Sequence, residues 1–175
     1  MCLHHARQIS RRQMGSLAMA AAGLGLLPVK AKASAKIEAL CITCIDYRVI
    51  SKDASYLAND LNLFKEADFV ALAGGALAGY PANLWKKYPS SPRAFWDQLQ
   101  AAKDLHSIDK VVVIDHRDCG AYNLEFGKPA NPKEEWEQHA KVMAQLRKEF
   151  EQRHLPLKLE FYLMPLVGCA ERVNV

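Results

Sequence analysis

Acidic residues are missing from the first 33 positions, which carry five basic ones: Arg7, Arg11, Arg12, Lys30 and Lys32. A long apolar run is missing too. The uncharged stretch from Gly15 to Leu27 has 13 residues, short of the ~20 that a membrane-spanning helix needs. What remains is an order of regions: paired arginines in Ser10-Arg11-Arg12-Gln13-Met14, a short apolar segment, then the small-x-small Ala31-Lys32-Ala33. That order is the one secretory signals use, and the two arginines give it a twin-arginine character. Residues 1–33 are therefore expected to be a signal peptide. An uncleaved anchor or a buried helix is the alternative. The mature chain is expected to be exported, in a bacterium to the periplasm, with no stable membrane span after processing. Without those five cations the chain has 18 basic against 19 acidic residues, so the whole-chain net charge of +4 becomes about −1 with histidines neutral. The basic balance thus belongs to the leader, and no basic stripe with aromatics follows that would suit nucleic acid.

Internal repeats, low-complexity tracts and interdomain linkers are also lacking. Residues 34–175 therefore read as one domain, long enough for a core of its own. Cysteine is sparse: four of the five lie beyond the leader, at Cys41, Cys44, Cys119 and Cys169. In an oxidising compartment such thiols pair as disulfides or are held by a metal.

Two short motifs carry chemistry. Asp115-His116-Arg117-Asp118-Cys119-Gly120 follows the β-branched run Val111-Val112-Val113-Ile114, which reads as a buried strand. An imidazole and a thiol three positions apart, where the chain leaves a strand, can close on one ion, and that donor pair suits zinc. Alone, such a pair is weak evidence. The second motif, Cys44-Ile45-Asp46-Tyr47-Arg48, also follows an apolar run, from Ile37 to Ile42. In extended chain, positions 44, 46 and 48 share one side, bearing a thiol, a carboxylate and a guanidinium. Cys44, His116 and Cys119 would supply three ligands, and three protein ligands with a fourth position open is the catalytic pattern for zinc. Asp46 and Arg48 would pair beside that position. A surface ion pair worth under ~1 kcal/mol is their plainer reading.

A CxDxR after the first strand and an HxxCG after a later one resemble the β-class carbonic anhydrases over residues 37–122. The resemblance implies one Zn2+ per chain on Cys44, His116 and Cys119, with Asp46 and Arg48 as the catalytic dyad. It implies reversible hydration of carbon dioxide to bicarbonate by a zinc-bound hydroxide, and a homodimer or higher homo-oligomer. It would also place Gly74 and Gly75 beside the metal, where an ordinary strand-ending turn is the alternative. Tyr47 and Gly120 are further pocket candidates, and Tyr47 and Tyr122 would either narrow the pocket or simply pack. Tyr47 and Asp115 stand where small residues are usual in the family, and the 72 positions between Cys44 and His116 make a long interval. Carbonyl sulfide or carbon disulfide hydrolysis on the same site, and a non-catalytic zinc protein, are the competing readings. A dithiol oxidoreductase using Cys41 and Cys44 is disfavoured, because residues 41 and 44 of an extended segment face opposite sides.

The expected architecture is α/β: a mainly parallel central sheet of four to five strands flanked by helices, β-carbonic-anhydrase-like in outline. Strands are expected at about 37–42, 68–73, 110–114 and 157–163, with a final edge strand within 170–175. A helix over 51–64 would bury Tyr56, Leu57, Leu61 and Phe64. A second would start at Ser91 as cap with Pro92 first, and a third at Asn131-Pro132 with Glu134 closing a capping box. The third helix would bury Trp136, Ala140, Met143, Leu146 and Phe150. Residues 78–90 read as loop, with Tyr80, Trp85 and Tyr88 suiting either an interface or the core. His106, His139 and His154 read as surface histidines. Arg117 and Asp118 would cap the turn or bind the dyad.

Overall fold

A computed structural model describes residues 36–81 and 85–175. The expected signal at 1–33 lies outside the described residues. The elements run β1 (Ala39–Thr43), α1 (Ile50–Asn59), β2 (Ala67–Ala71), a 3-10 turn (Gly75–Gly79), α2 (Ser91–His106), β3 (Lys110–His116), α3 (Gly120–Phe126), α4 (Pro132–Gln152), β4 (Lys158–Met164) and β5 (Glu171–Arg172). The sheet has five strands in the order β2-β1-β3-β4-β5. All neighbours are parallel except β4 and β5. The expected α/β class, strand number and edge strand are all present.

Central strands of a parallel sheet are covered on both faces, so β1 and β3 are buried almost throughout and are apolar over Ala39–Ile42 and Val111–Ile114. Alternation then sorts the side chains. Leu40, Ile42, Val111 and Val113 join Phe95 and Leu99 of α2 and Met143 and Leu146 of α4. Ala39, Cys41, Val112 and Ile114 face the other way, onto Leu57 of α1 with Tyr162 and Met164. Thr43 lies on this second side, its hydroxyl bonded to the fully buried Asp53 of α1. Burial pushes the Asp53 carboxyl up to about 7. An acid whose folded pKa exceeds its unfolded value, about 3.9, binds more protons in the native state between those two pH values. Stability should therefore fall as pH rises from about 4 to 7, by roughly 4 kcal/mol at most. Urea titrations of Asp53→Asn should show that slope flattened. Parallel pH profiles for variant and wild type would contradict the assignment.

Several expectations need correction. β3 continues two residues past Ile114, pairing as far as His116↔Met164, so His116 is the last residue of the strand and not the second beyond it. Helix α1 stops at Asn59 because the chain turns, with Asn62 in the left-handed region at φ 54°, which leaves Phe64 exposed. Helix α2 takes Ser90 as its cap residue, without a side-chain bond, so Ser91 and Pro92 are its first two residues. Helix α3 was not anticipated. In α4 the Asn131 cap forms as expected, accepting from Lys133 N and Glu134 N, but Glu134 reaches back to Ala130 N instead of the cap. The buried stripe of α4 is His139, Val142, Met143, Leu146 and Phe150, rotated away from Trp136, which is exposed. His139 is thus core. His106 is half-buried against Asp68 at 2.6 Å, and His154 is exposed. Tyr80 and Trp85 are buried, Tyr88 half-exposed.

Candidate metal centre

β1 and β3 are neighbours, and from that pair β2 lies on one side and β4 on the other. Strand order therefore reverses between them, the place where open α/β sheets bind ligands beyond their carboxyl ends. Cys44 is the residue after β1, His116 ends β3, and Cys119 caps α3. Their sulfur and nitrogen atoms lie within 4.8 Å of one another, and all three residues are buried. Cys44 Sγ and Cys119 Sγ are 3.8 Å apart. Cys41 points into the opposite core layer, so residues 41 and 44 do not form a dithiol pair.

The hydrogen bonds within and around the cluster set its protonation. His116 Nδ1 lies 2.9 Å from the carbonyl oxygen of Arg117, which can only accept, so Nδ1 carries the hydrogen and Nε2 offers a lone pair. That Nε2 is buried and has no hydrogen-bond partner. The Cys44 thiol is pushed down from its ordinary range, chiefly by the hydrogen bond with Cys119, with burial opposing and His116 and the Gly74 N–H helping. Cys119 is raised in turn, because it donates to the Cys44 thiolate and is buried. Burial alone would lower His116; the adjoining Cys44 thiolate, Arg117 O and Asp46 outweigh it and raise the pKa. The two sulfurs are within hydrogen-bonding reach of each other, and the His116 Nε2 beside them has no hydrogen-bond partner. This donor set, one imidazole and two thiolates, is the set that zinc prefers, and the three residues could hold one metal ion.

Beside the cluster, Asp46 and Arg48 do not lie along one extended strand, since residues 47–49 form a turn. The turn folds Arg48 back so that its Nε and Nη2 grip both Asp46 oxygens at 2.6–3.1 Å, and its backbone N–H adds a fourth bond. The Arg48 guanidinium holds the Asp46 carboxyl down at about 2. Asp46 Oδ2 stands 3.8 Å from His116 Nε2. Arg48 is clamped from its other side by Asp118, through Oδ2 at 2.9 Å and the carbonyl oxygen at 3.0 Å. Asp118 itself sits at φ 55° and donates its N–H to Glu135, which also pairs with Arg117. Asp118 therefore takes the second of its two expected roles, binding the dyad, and Arg117 ties the turn to α4.

Gly74 donates its N–H to Cys44 Sγ at 3.3 Å. Gly75, at φ 52°, packs against Asp115 so closely that a Cβ there would overlap Asp115 Oδ1. Gly120 opens α3 and is exposed; Tyr47 is 87% exposed. Tyr122 and His139 bond the Asp115 carboxylate next to His116; of these three, only Tyr122 stands among the pocket candidates in the sequence. An acid closing a run of four β-branched residues, with a tyrosine seven positions on, was the available signal.

The fold and site define a class: a five-stranded α/β domain with a buried Cys-His-Cys cluster at the point of strand-order reversal. No family model matches the chain. It is 30% identical over 136 residues to an uncharacterized protein of Rickettsia bellii, covering 77% of this chain and 80% of that one. It is 32% identical, again over 136 residues, to uncharacterized protein RC0076 of Rickettsia conorii, covering 77% and 70%. The chain belongs to the family of these rickettsial proteins. Among solved structures it is similar to the β-carbonic anhydrase CafA of Aspergillus fumigatus, with TM-score 0.49, 14% identity, and coverage of 79% of this chain and 76% of that one. It is also similar to the Coccomyxa β-carbonic anhydrase in complex with acetazolamide, with TM-score 0.46, 15% identity, and coverage of 80% and 73%.

Proposed function

We propose that the chain is a zinc-dependent carbonic anhydrase that interconverts carbon dioxide and bicarbonate. The observation that carries this reading is the buried, unpartnered Nε2 of His116 facing the two sulfurs, with a clamped Asp–Arg pair at its side. Cys44, His116 and Cys119 would hold the zinc. When bound, the ion would supply the Lewis acidity that lowers the pKa of water from 15.7 towards ~7. Asp46, kept ionised by Arg48, can accept a hydrogen bond and orient its donor. The same bidentate grip keeps both carboxylate oxygens occupied, so that Asp46 is not drawn in as a ligand. Asp118 holds Arg48 to that task. The CxDxR and HxxCG motifs support the same substrate. Action in a periplasm, after export, and assembly as a homodimer belong to this proposal and are supported by the order of regions in 1–33 and by the family resemblance.

Stopped-flow assay of carbon dioxide hydration tests the reading. Zinc-loaded protein should hydrate, and Asp46→Asn should lower kcat by about 10–100-fold while retaining zinc, the usual cost of losing a group next to a metal centre. Full zinc occupancy with no hydration from pH 6 to 9 would sink it and shift attention to carbonyl sulfide or carbon disulfide, or to a non-catalytic role.

A further inference from the structure

Asp115 is a charged side chain in the middle of the core, 1% exposed. Its carboxylate receives three hydrogen bonds from three separate segments. Ala76 N donates to Oδ1 at 2.8 Å; Tyr122 Oη donates to Oδ2 at 2.5 Å; His139 Nδ1 donates to Oδ2 at 2.9 Å. His139 lies against the Tyr122 ring, with centroids 3.7 Å apart. Two of these ties lead to corners of the metal centre, and Asp115 itself adjoins the third. Asp115 precedes His116 on β3. Tyr122 stands three residues after Cys119, one turn into α3, whose first turn closes on Cys119 through Asn123 N to Cys119 O at 3.0 Å. Ala76 follows Gly74, whose N–H bonds the Cys44 sulfur. Packing alone does not call for this arrangement, since an apolar residue would extend the run Val111–Ile114 at lower desolvation cost. An ionised carboxylate is the side chain that accepts from three donors with two oxygens.

We propose that Asp115 is a positioning residue for the metal centre: a buried hub that sets the separation of Cys44, His116 and Cys119 and keeps the Gly74 N–H on the Cys44 sulfur. This rests on the reading of those three residues as ligands. Such outer groups are worth 10–100-fold in metal affinity at known centres. Asparagine cannot replace the carboxylate, because its single oxygen serves one side and its NH2 meets a donor on the other.

The test uses the metal alone, titrating cobalt(II) into metal-free full-length protein. Affinity is read by chelator competition, the thiolate-to-cobalt absorption band reports ligand geometry, and circular dichroism checks the fold. Asp115→Asn should stay folded, bind cobalt about 10–100-fold more weakly and alter the band. Tyr122→Phe, which removes one donor and keeps the ring, should fall between it and wild type, and stands as the test if Asp115→Asn does not fold. Folded variants whose affinity stays within about twofold of wild type, with an unchanged band, overturn the hub even if they melt earlier. Wild-type protein that binds no cobalt overturns the ligand assignment itself, and the hub with it.

Discussion

Replacing Cys44 with serine is expected to strip the chain of its metal while leaving the sheet intact. Structural zinc sites contribute about 10–16 kcal/mol in apparent binding free energy. Spread over three or four ligands, that is roughly 3–4 kcal/mol each, so losing one thiolate should weaken affinity by about 10²–10³-fold. Serine is close to isosteric, and Cys44 contributes little to the apolar core beyond its sulfur, so the melting profile of the metal-free protein should change little. The Cys119→Ser variant should behave alike. Cys41→Ser is the control, because Cys41 lies in the opposite core layer and should leave affinity unchanged. Competition with a coloured chelator measures all three. Equal affinities for Cys44→Ser and wild type would mean that the cluster is an ordinary pair of buried thiols.

The second large effect is on stability. Gly75→Ala should destabilise the fold by about 3–5 kcal/mol, through two causes that add. A non-glycine residue at φ 52° costs roughly 1–2 kcal/mol. The new methyl would overlap Asp115 Oδ1 and come within 3.3 Å of Ile114 O. Asp115 would have to yield, and each charge-assisted hydrogen bond it gives up costs about 1.5–3 kcal/mol. For a domain of this size the midpoint of thermal unfolding should drop by about 10 °C or more. Gly127→Ala is the comparison. At φ 82° and ψ 163° it sits in a region that essentially only glycine enters, and nothing lies within 4 Å of its Cβ position, so it should show a backbone cost of about 1–3 kcal/mol without a clash. A loss at Gly75 no larger than the backbone cost of about 1–2 kcal/mol would show that the Asp115 contact contributes nothing.

The sheet and the convergence of Cys44, His116 and Cys119 are legible because both rest on local signals. Apolar β-branched runs mark β1 and β3, and a parallel sheet then brings their carboxyl ends together, so residues 72 positions apart meet without any long-range information. The Asp–Arg pair was legible as a pair, although a turn at 47–49, and not extended chain, brings it about. What escaped was whatever depends on where helix α4 lands. His139 is four residues before Met143, at helical spacing with the buried stripe, but a histidine there reads as surface until a buried acid is known to face it. Trp136 looks like core by type, yet the stripe is rotated and leaves it at the rim. Asp115 lay inside the motif and read as a departure from the pattern. Only the three-dimensional meeting of strand, turn and two helices shows that it gathers Ala76, Tyr122 and His139. The early end of α1 follows from a left-handed Asn62, which hydrophobic spacing alone does not encode.

The central claim is that two sulfurs and one imidazole nitrogen grip a single zinc ion. X-ray absorption at the zinc edge of the purified full-length protein tests it directly. The expected result is one zinc per chain, with two sulfur neighbours at about 2.3 Å and one or two lighter neighbours at about 2.0–2.1 Å, and the sulfur count halved in Cys119→Ser. A zinc shell made wholly of light atoms, or protein that emerges without zinc and takes up none when it is supplied, would contradict it.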